Sequence, residues 1–414
     1  MFAQPAFGQQ LRALRRSRGL TQAELAGTGI STAYLSRLES GGRPPTARAV
    51  DYLAGRLGVS PSVFGQGSPG TLSAIIAMIS SGGRFEAAAS LRQALHESGA
   101  EDAALRWHGY WLLAELQEKE GLAADRRDTL KLLVAVSDET DSPELRLRAR
   151  HQLATCHRSL GDILSAYPVA MEAYAIATEN ILNVVDTARA FMALIAVQSE
   201  LGRLPEARQL ADELERLVVD GEGAADGTPA SGDAPAAVQA QVLWTSATVL
   251  TRQGESELAS RRLDQAMERL AGSDDLVLWL RLRLAAASLY LQMETDSVDR
   301  VLRLLGEVEP AVRLAGLRQY AQEFDLLQGI AAFRHGDLAT AQESCLRLDA
   351  VGQSLDFRDT VRLGLLKNQL LIAEGDRELA VANLRDLAVK AQRSAHVDLA
   401  AEIWRYLAEA GAAR

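Results

Sequence analysis

Residues 20–41, LTQAELAGTGISTAYLSRLESG, carry the most usable chemistry in the 414-residue chain. Thr32 can donate or accept a hydrogen bond, and the methyl of Ala33 suits the methyl of a thymine. Ser36 and Arg37 follow one helical turn further on. This is the chemistry of recognition. No phosphate-cradling glycine loop and no nucleophile elbow occurs anywhere in the chain, so catalysis has no support.

Two short helices must position these side chains. Thr21 and Glu24 form a Thr-x-x-Glu capping box, which starts a helix at Gln22 with Leu25 and Ala26 on its buried side. Gly27-Thr28-Gly29 ends it. Ser31 can cap a second helix, whose inner face carries Leu35 and Leu38. Two short helices on a tight glycine turn form a helix-turn-helix, and the second can lie in a DNA major groove. Phe7, Leu11 and Leu14 form an apolar stripe on a preceding helix. Thr46 caps a fourth helix with Val50, Leu53, Ala54 and Leu57 inward, and Ser60-Pro61 opens a fifth with Val63 and Phe64.

Residues 7–65 resemble the lambda-repressor/Cro-like (XRE) DNA-binding domains. The matching residues are Leu20-Thr21-Gln22, Glu24-Leu25-Ala26, Ser31, Tyr34 to Glu39, Gly41 and Leu57-Gly58-Val59-Ser60. The link from Ala26 to Ser31 is one residue shorter than the usual family pattern. The resemblance implies that Gln22 contacts a phosphate and props the recognition helix. Ser31 and Tyr34 belong to that helix's DNA-facing segment. Thr32 and Ala33 would face base edges, with Ser36 and Arg37 one turn on. Ser40 and Arg43 would contact phosphates, fixing register without reading sequence. Arg15 and Glu39 match positions that pair inside the family's fold.

Charge agrees with a DNA reader. Residues 1–65 hold eight arginines, no lysine and three acids, a net charge of +5, whereas the whole chain carries −10. The remaining residues therefore carry −15 and should sit away from phosphate.

The rest of the chain reads as helical repeats. Residues 71–414 are rich in Ala, Leu, Arg and Glu, with almost no strand signal. Glycine turns recur at Gly83, Gly121, Gly161, Gly202, Gly254, Gly336 and Gly375, with Glu294-Thr295-Asp296 standing where one more would fall. An alanine follows most of them: Ala87, Ala124, Ala166, Ala207, Ala259, Ala341 and Ala380. The period is near 40 residues. The turns resemble those of tetratricopeptide (TPR) repeats, with HEAT-like repeats as the structural alternative. The expected fold is all-α: a five-helix helix-turn-helix domain over 1–65, a linker at 66–70, and a TPR-like α-solenoid of about eight helix pairs over 71–414. Residues 220–237, DGEGAADGTPASGDAPAA, have no large apolar side chain and read as a flexible insertion.

A DNA-reading head on a TPR-like array resembles the peptide-pheromone receptor regulators of the RRNPP group, which serve quorum sensing. That resemblance implies a solenoid that dimerises and holds a peptide on its concave face. The chain has only four asparagines, Asn180, Asn183, Asn368 and Asn383, where the group often grips peptide backbone, so a small-molecule effector stays open beside a peptide. In TPR arrays the first helix of each pair lines the groove. The polar and aromatic candidates there are Arg106, Tyr110, Arg150, Arg189, Gln198, Trp244, Arg283, Tyr320 and Arg362. Trp107, Trp111, Trp279 and Trp404 read as packing between helices.

Cys156 and Cys345 read as free, packed thiols. His151, Cys156 and His157 do not converge on one ion, because adjacent helical residues point about 100° apart. No metal, cofactor or membrane span is expected, and the expected location is the cytoplasm. The expected partners are an operator in double-stranded DNA, an effector, and a second copy of the chain. The apolar residues Leu384, Leu387, Val397, Leu399, Ile403, Trp404 and Leu407 would form an uncapped, self-pairing end. The competing function is a DNA-tethered scaffold whose array recruits a protein partner without a small ligand.

Overall fold

The computed structural model describes residues 6–27, 29–59, 72–81, 87–97, 102–221, 234–293, 298–351 and 355–412. Among these residues every regular element is a helix. The chain forms two compact units, Met1–Lys119 and Glu120–Arg414.

The first unit opens with α1 (Ala6–Ser17), α2 (Gln22–Ala26), α3 (Thr32–Glu39) and α4 (Ala47–Leu57). The capping box forms as its residue types dictate: the Thr21 hydroxyl accepts from the Glu24 N–H, and the Glu24 carboxylate accepts from the Thr21 N–H. The Ser31 and Thr46 hydroxyls cap α3 and α4 without a returning carboxylate, accepting the Tyr34 and Ala49 N–H. Phe7, Leu11, Leu25, Leu35, Leu38, Val50, Leu53 and Leu57 close one apolar core. The expected fifth helix, with Val63 and Phe64, and the linker at 66–70 lie outside the described residues. Three more helices complete the unit: α5 (Leu72–Ser80), α6 (Ala87–Glu97) and α7 (Ala103–Lys119). They have their own cluster, built on Leu72, Ile75, Leu91, Leu95 and Leu113. The compact unit therefore extends past the boundary that the glycine-rich linker suggests.

The second unit runs α8 (Ala123–Ser137), α9 (Pro143–Ser159), α10 (Ile163–Glu179), α11 (Val184–Glu200), α12 (Leu204–Val218), α13 (Ala236–Arg252) and α14 (Ser256–Glu268). It continues through α15 (Leu276–Tyr290), α16 (Val298–Ala315), α17 (Arg318–His335), α18 (Leu338–Val351), α19 (Phe357–Glu374), α20 (Arg377–Arg393) and α21 (Val397–Ala412). Within the second unit α9 to α20 make six pairs in chain order, with α8 before them and α21 after. Six helices, α7, α9, α11, α13, α17 and α19, are followed by a glycine at positive φ: Gly121, Gly161, Gly202, Gly254, Gly336 and Gly375. Five of the following alanines, Ala166, Ala207, Ala259, Ala341 and Ala380, are fully buried, which lets paired helices approach closely. Ala124 is the exception and is exposed.

Two expectations change. The insertion is shorter at its far end than its composition suggests. Ala234 is buried beside Leu214, Val218 and Val238, and Ala236 and Ala237 already belong to α13. Its middle, residues 222–233, lies outside the described residues. The terminal repeat is also not an open apolar end. Leu384, Leu399 and Ile403 are buried, and Leu387 and Leu407 pack on the same cluster. Only Val397 and Trp404 of the seven are exposed, so α21 serves as the cap and Trp404 does not pack between helices.

Within this unit the first turn of the array touches the last. Phe357 lies against Gly161, where any Cβ would sit 2.5 Å from the ring, so the close approach requires glycine. Ala395 packs on the cluster of Ala154, Ile163 and Leu194.

Candidate DNA interface and an interior cavity

Helix α3 presents two faces. Leu35, Leu38 and Glu39 point inward. Ser31, Thr32, Ala33, Ser36, Arg37, Ser40 and Arg43 are exposed. Tyr34 is half-buried, and the Arg43 guanidinium lies 5.4 Å from the centre of its ring. Ser31 doubles as the cap of α3, accepting the Tyr34 N–H at 3.1 Å. The Ser40 hydroxyl bonds back to the Arg37 carbonyl at 3.2 Å. The structure thus brings all the expected contact residues except Gln22 onto one stretch around α3.

Gln22 sits at the start of α2 and donates to Glu39 Oε2 at 2.8 Å. Arg15 holds the same carboxylate through two bonds, 2.6 and 2.9 Å, and also donates to the Leu20 carbonyl. Burial pushes the Glu39 carboxyl up, but the bonds from Arg15 and Gln22 outweigh it and hold the pKa below the usual range. The carboxylate therefore stays charged and ties the C-terminal end of α3 to α1 and α2. This fixes the pitch of the recognition helix.

The short turn has a brace the sequence does not advertise. Tyr52 of α4 donates its hydroxyl hydrogen to the Ala26 carbonyl at 2.9 Å and accepts the Gly29 N–H at 3.1 Å. A Cβ on Gly29 would lie 2.3 Å from the Tyr52 ring. A bulky tyrosine opposite a glycine thus ties the turn to α4. Around this frame Arg12, Arg16, Arg18, Arg48 and Arg56 are also exposed, so the surface is strongly cationic.

In the second unit a cavity of about 500 Å³ opens inside the array. Every residue that lines it belongs to, or flanks, α9, α11, α13, α15, α17 or α19, the first helices of six successive pairs. Its wall is unusually charged. The Glu200 carboxylate takes two bonds from Arg158, 2.6 and 3.1 Å, and has Arg252 and Arg358 each at 3.9 Å. Arg252 and Arg358 also hold Asp398, at 3.2 and 2.6 Å. Burial raises both carboxyls, but the arginines outweigh it and hold each below the usual range. Burial brings Arg252 down to about 10, which leaves it cationic at neutral pH. His151, also on the wall, is pushed down to about 4 by burial and by Arg189 and Arg158, so it is neutral.

Another part of the wall, on α17 and at the start of α19, behaves differently. Glu323, Asp356 and Asp359 gather there. Burial and the neighbouring carboxylates push Glu323 and Asp359 well above the usual range. Arg362 approaches Asp359 at 3.6 Å and donates to Ser288 Oγ at 2.9 Å.

Of the groove candidates, the cavity brings together Arg189, Trp244 and Arg362. The other six lie elsewhere. Arg106 and Tyr110 belong to α7 in the first unit. Arg150 is buried between Glu172 and Asp138. Arg283 stacks 4.0 Å over Trp279 and faces Glu307. Tyr320 packs on an apolar cluster, and Gln198 is buried off the cavity wall. Sequence reasoning missed Arg158, Glu200, Arg252, Arg281, Glu323 and Arg358. A signal existed: His151-Thr155-Arg158, Gln241-Thr245-Thr248-Arg252 and Arg281-Ala285-Ser288-Gln292 are stripes at helical spacing, small or polar where a packing face would be apolar. Cys156 and Cys345 are free and buried, and Cys156 contacts the Ala123 carbonyl, while His157 bonds Asp162 and His151 lines the cavity. Among the described residues no helix is long and apolar enough to cross a membrane.

A capped recognition helix on a cationic surface, followed by a helical-repeat array, defines a DNA-binding regulator. Residues 6–64 match the family model described as a helix-turn-helix domain. An uncharacterised HTH-type transcriptional regulator of Sinorhizobium fredii, y4dJ, is 50% identical over 54 residues, spanning 13% of this chain and 70% of the relative. The chain belongs to the helix-turn-helix transcriptional regulators, a non-enzymatic family. The array's fold is similar to that of the Rap conjugation gene regulator of plasmid pLS20, solved in complex with the Phr* peptide. That match has a TM-score of 0.56 at 12% identity and covers 94% of this chain and 96% of that one.

Proposed function

We propose that this regulator reads an operator through α3 and that the cavity of the second unit takes an effector, a peptide or a small molecule, that sets the regulatory output. Thr32, Ala33, Ser36 and Arg37 read base edges, while Gln22, Ser40 and Arg43 position the head on phosphates. Two chains pair so that two heads meet two half-sites about 34 Å apart or a multiple of it. The observation that carries the effector reading is the cavity itself. Its volume is that of a small-ligand site, and six consecutive repeats each contribute to it. A ligand that prefers one pitch of such an array shifts every repeat slightly and its ends considerably.

The test is a cavity-filling variant, Ala285→Trp. A reporter placed behind a promoter that the chain binds is followed across growth conditions, beside the affinity of the purified chain for that promoter. The reading expects unchanged DNA affinity and a reporter frozen in one state. A reporter that still responds normally would instead favour the scaffold function.

A further inference from the structure

The charged groups on the cavity wall are not all matched. Arg158, Arg252 and Arg358 are paired with Glu200 and Asp398, Arg189 with Asp186 at 3.2 Å, and Arg362 with Asp359. Asp356 spends one carboxylate oxygen capping α19 through the Asp359 N–H at 2.8 Å. Beside Asp356, two ionisable groups of opposite type remain: a guanidinium, and an acid whose proton burial and the neighbouring carboxylates favour. Among the described residues Glu323 on α17 makes no hydrogen bond or ion pair, and neither does Arg281 on α15, whose guanidinium faces the Trp244 ring at 6.0 Å and whose charge draws the Glu323 carboxyl down only in part. They line the same cavity without meeting. Paired ionisable groups are the rule where water is scarce, and a wall that holds an acid and a base apart leaves room for a molecule that answers both.

We propose that the effector is a compact zwitterion. Its cationic group sits on Glu323, backed by Asp356 and Asp359. Its anionic group sits on Arg281, and Trp244 covers the carbon frame between them. A lone cation would answer Glu323 and leave Arg281 unmatched, and a lone anion the reverse. The inference rests on the effector reading above and adds the ligand's chemical class.

The test uses the full chain and a probe whose two ends can be blocked separately: trialanine, its N-acetyl form, its C-amide and the doubly blocked form. At millimolar concentration free trialanine should raise the melting temperature by roughly 2 °C. Each single block should remove most of that shift. Glu323→Gln should erase the difference between free and acetylated probe, and Arg281→Gln the difference between free and amidated probe. Glu323→Gln keeps side-chain shape, Arg281→Gln exchanges the guanidinium for a shorter neutral amide, and neither residue belongs to the Glu200 and Asp398 ion network. A second readout guards against a trivial loss of fold. Folding raises the Glu323 pKa, so the folded state holds a proton the unfolded state would release. Wild-type stability should fall as pH rises from the ordinary carboxylate range toward neutrality, and Glu323→Gln should flatten that fall. Equal shifts from free and doubly blocked probes would overturn the zwitterion, and so would no shift from any of them. If blocked probes bind and Ala285→Trp stops them, the zwitterion falls while the effector reading stands. If Ala285→Trp leaves the reporter response intact, the effector reading falls as well.

Discussion

Glu39 in the head and Glu200 in the array do the same physical work at different range. Glu39 gathers Arg15 and Gln22 from within one small domain. Glu200 gathers Arg158, Arg252 and Arg358 from three different repeats. In both places a buried carboxylate survives because arginines outweigh the cost of desolvation. The first network holds one helix at one pitch for reading bases. The second joins the first turn of the array to its last and forms part of a cavity wall. The head closes locally, whereas the array puts its closure in the wall of a cavity.

Breaking the head's network should have the largest effect. Glu39→Ala leaves Arg15 buried without its partner, a loss on the order of 3–5 kcal/mol. The head should melt and DNA binding vanish while the array's thermal transition stays in place, which calorimetry of the full chain resolves. Asp398→Asn tests the other network. It should cost on the order of 3 kcal/mol at neutral pH, by uncovering Arg252 and Arg358. The Asp398 pKa is depressed by folding, so its stabilisation is present above the ordinary carboxylate range and fades as pH falls. The gap between wild type and Asp398→Asn in denaturant titrations should therefore narrow on acidification. DNA affinity per folded head should be unchanged.

Arg43→Ala should do less. Removing one phosphate contact should weaken binding to all sequences alike and lower the slope of log affinity against log salt by about one unit. An unchanged slope would leave Arg43 a contact of the Tyr34 ring and not of a phosphate. The smallest effect is expected from deleting residues 222–233. A deletion of 220–237 would remove Ala234 from a core and the first turn of α13, whereas the shorter one spares both and should change the melting temperature little.

The head was legible because its signals are local. Thr21 and Glu24, and Ser31 with Leu35 and Leu38, lie within a helical turn or two of each other, so spacing alone places them. Glycine turns announced the pairs of the array for the same reason, since a left-handed residue ends a helix wherever it occurs. The Tyr52 brace was not legible, because it depends on a ring reaching Gly29 from another helix. The cavity was legible only in kind. First helices were expected to line it, and they do, but Arg150 and Arg283 have local partners that turn them away. The side chains that do reach it, Glu200, Arg252 and Arg358, are set by how the array's turns close on each other, which no single repeat encodes. The expected pairing surface around Leu399 and Ile403 was misread because α21 folds its apolar side back onto α20.

The central claim is that α3 reads bases from a frame set by Glu39. It is tested most directly by selecting duplexes from a random pool with the full chain and with a variant carrying Thr32→Ala, Ser36→Ala and Arg37→Ala. The wild type should enrich one motif with two half-sites. The variant, whose substitutions are all on the exposed face, should keep salt-sensitive non-specific binding and enrich none. The same motif recovered by both proteins would contradict the assignment of α3 as the reading helix.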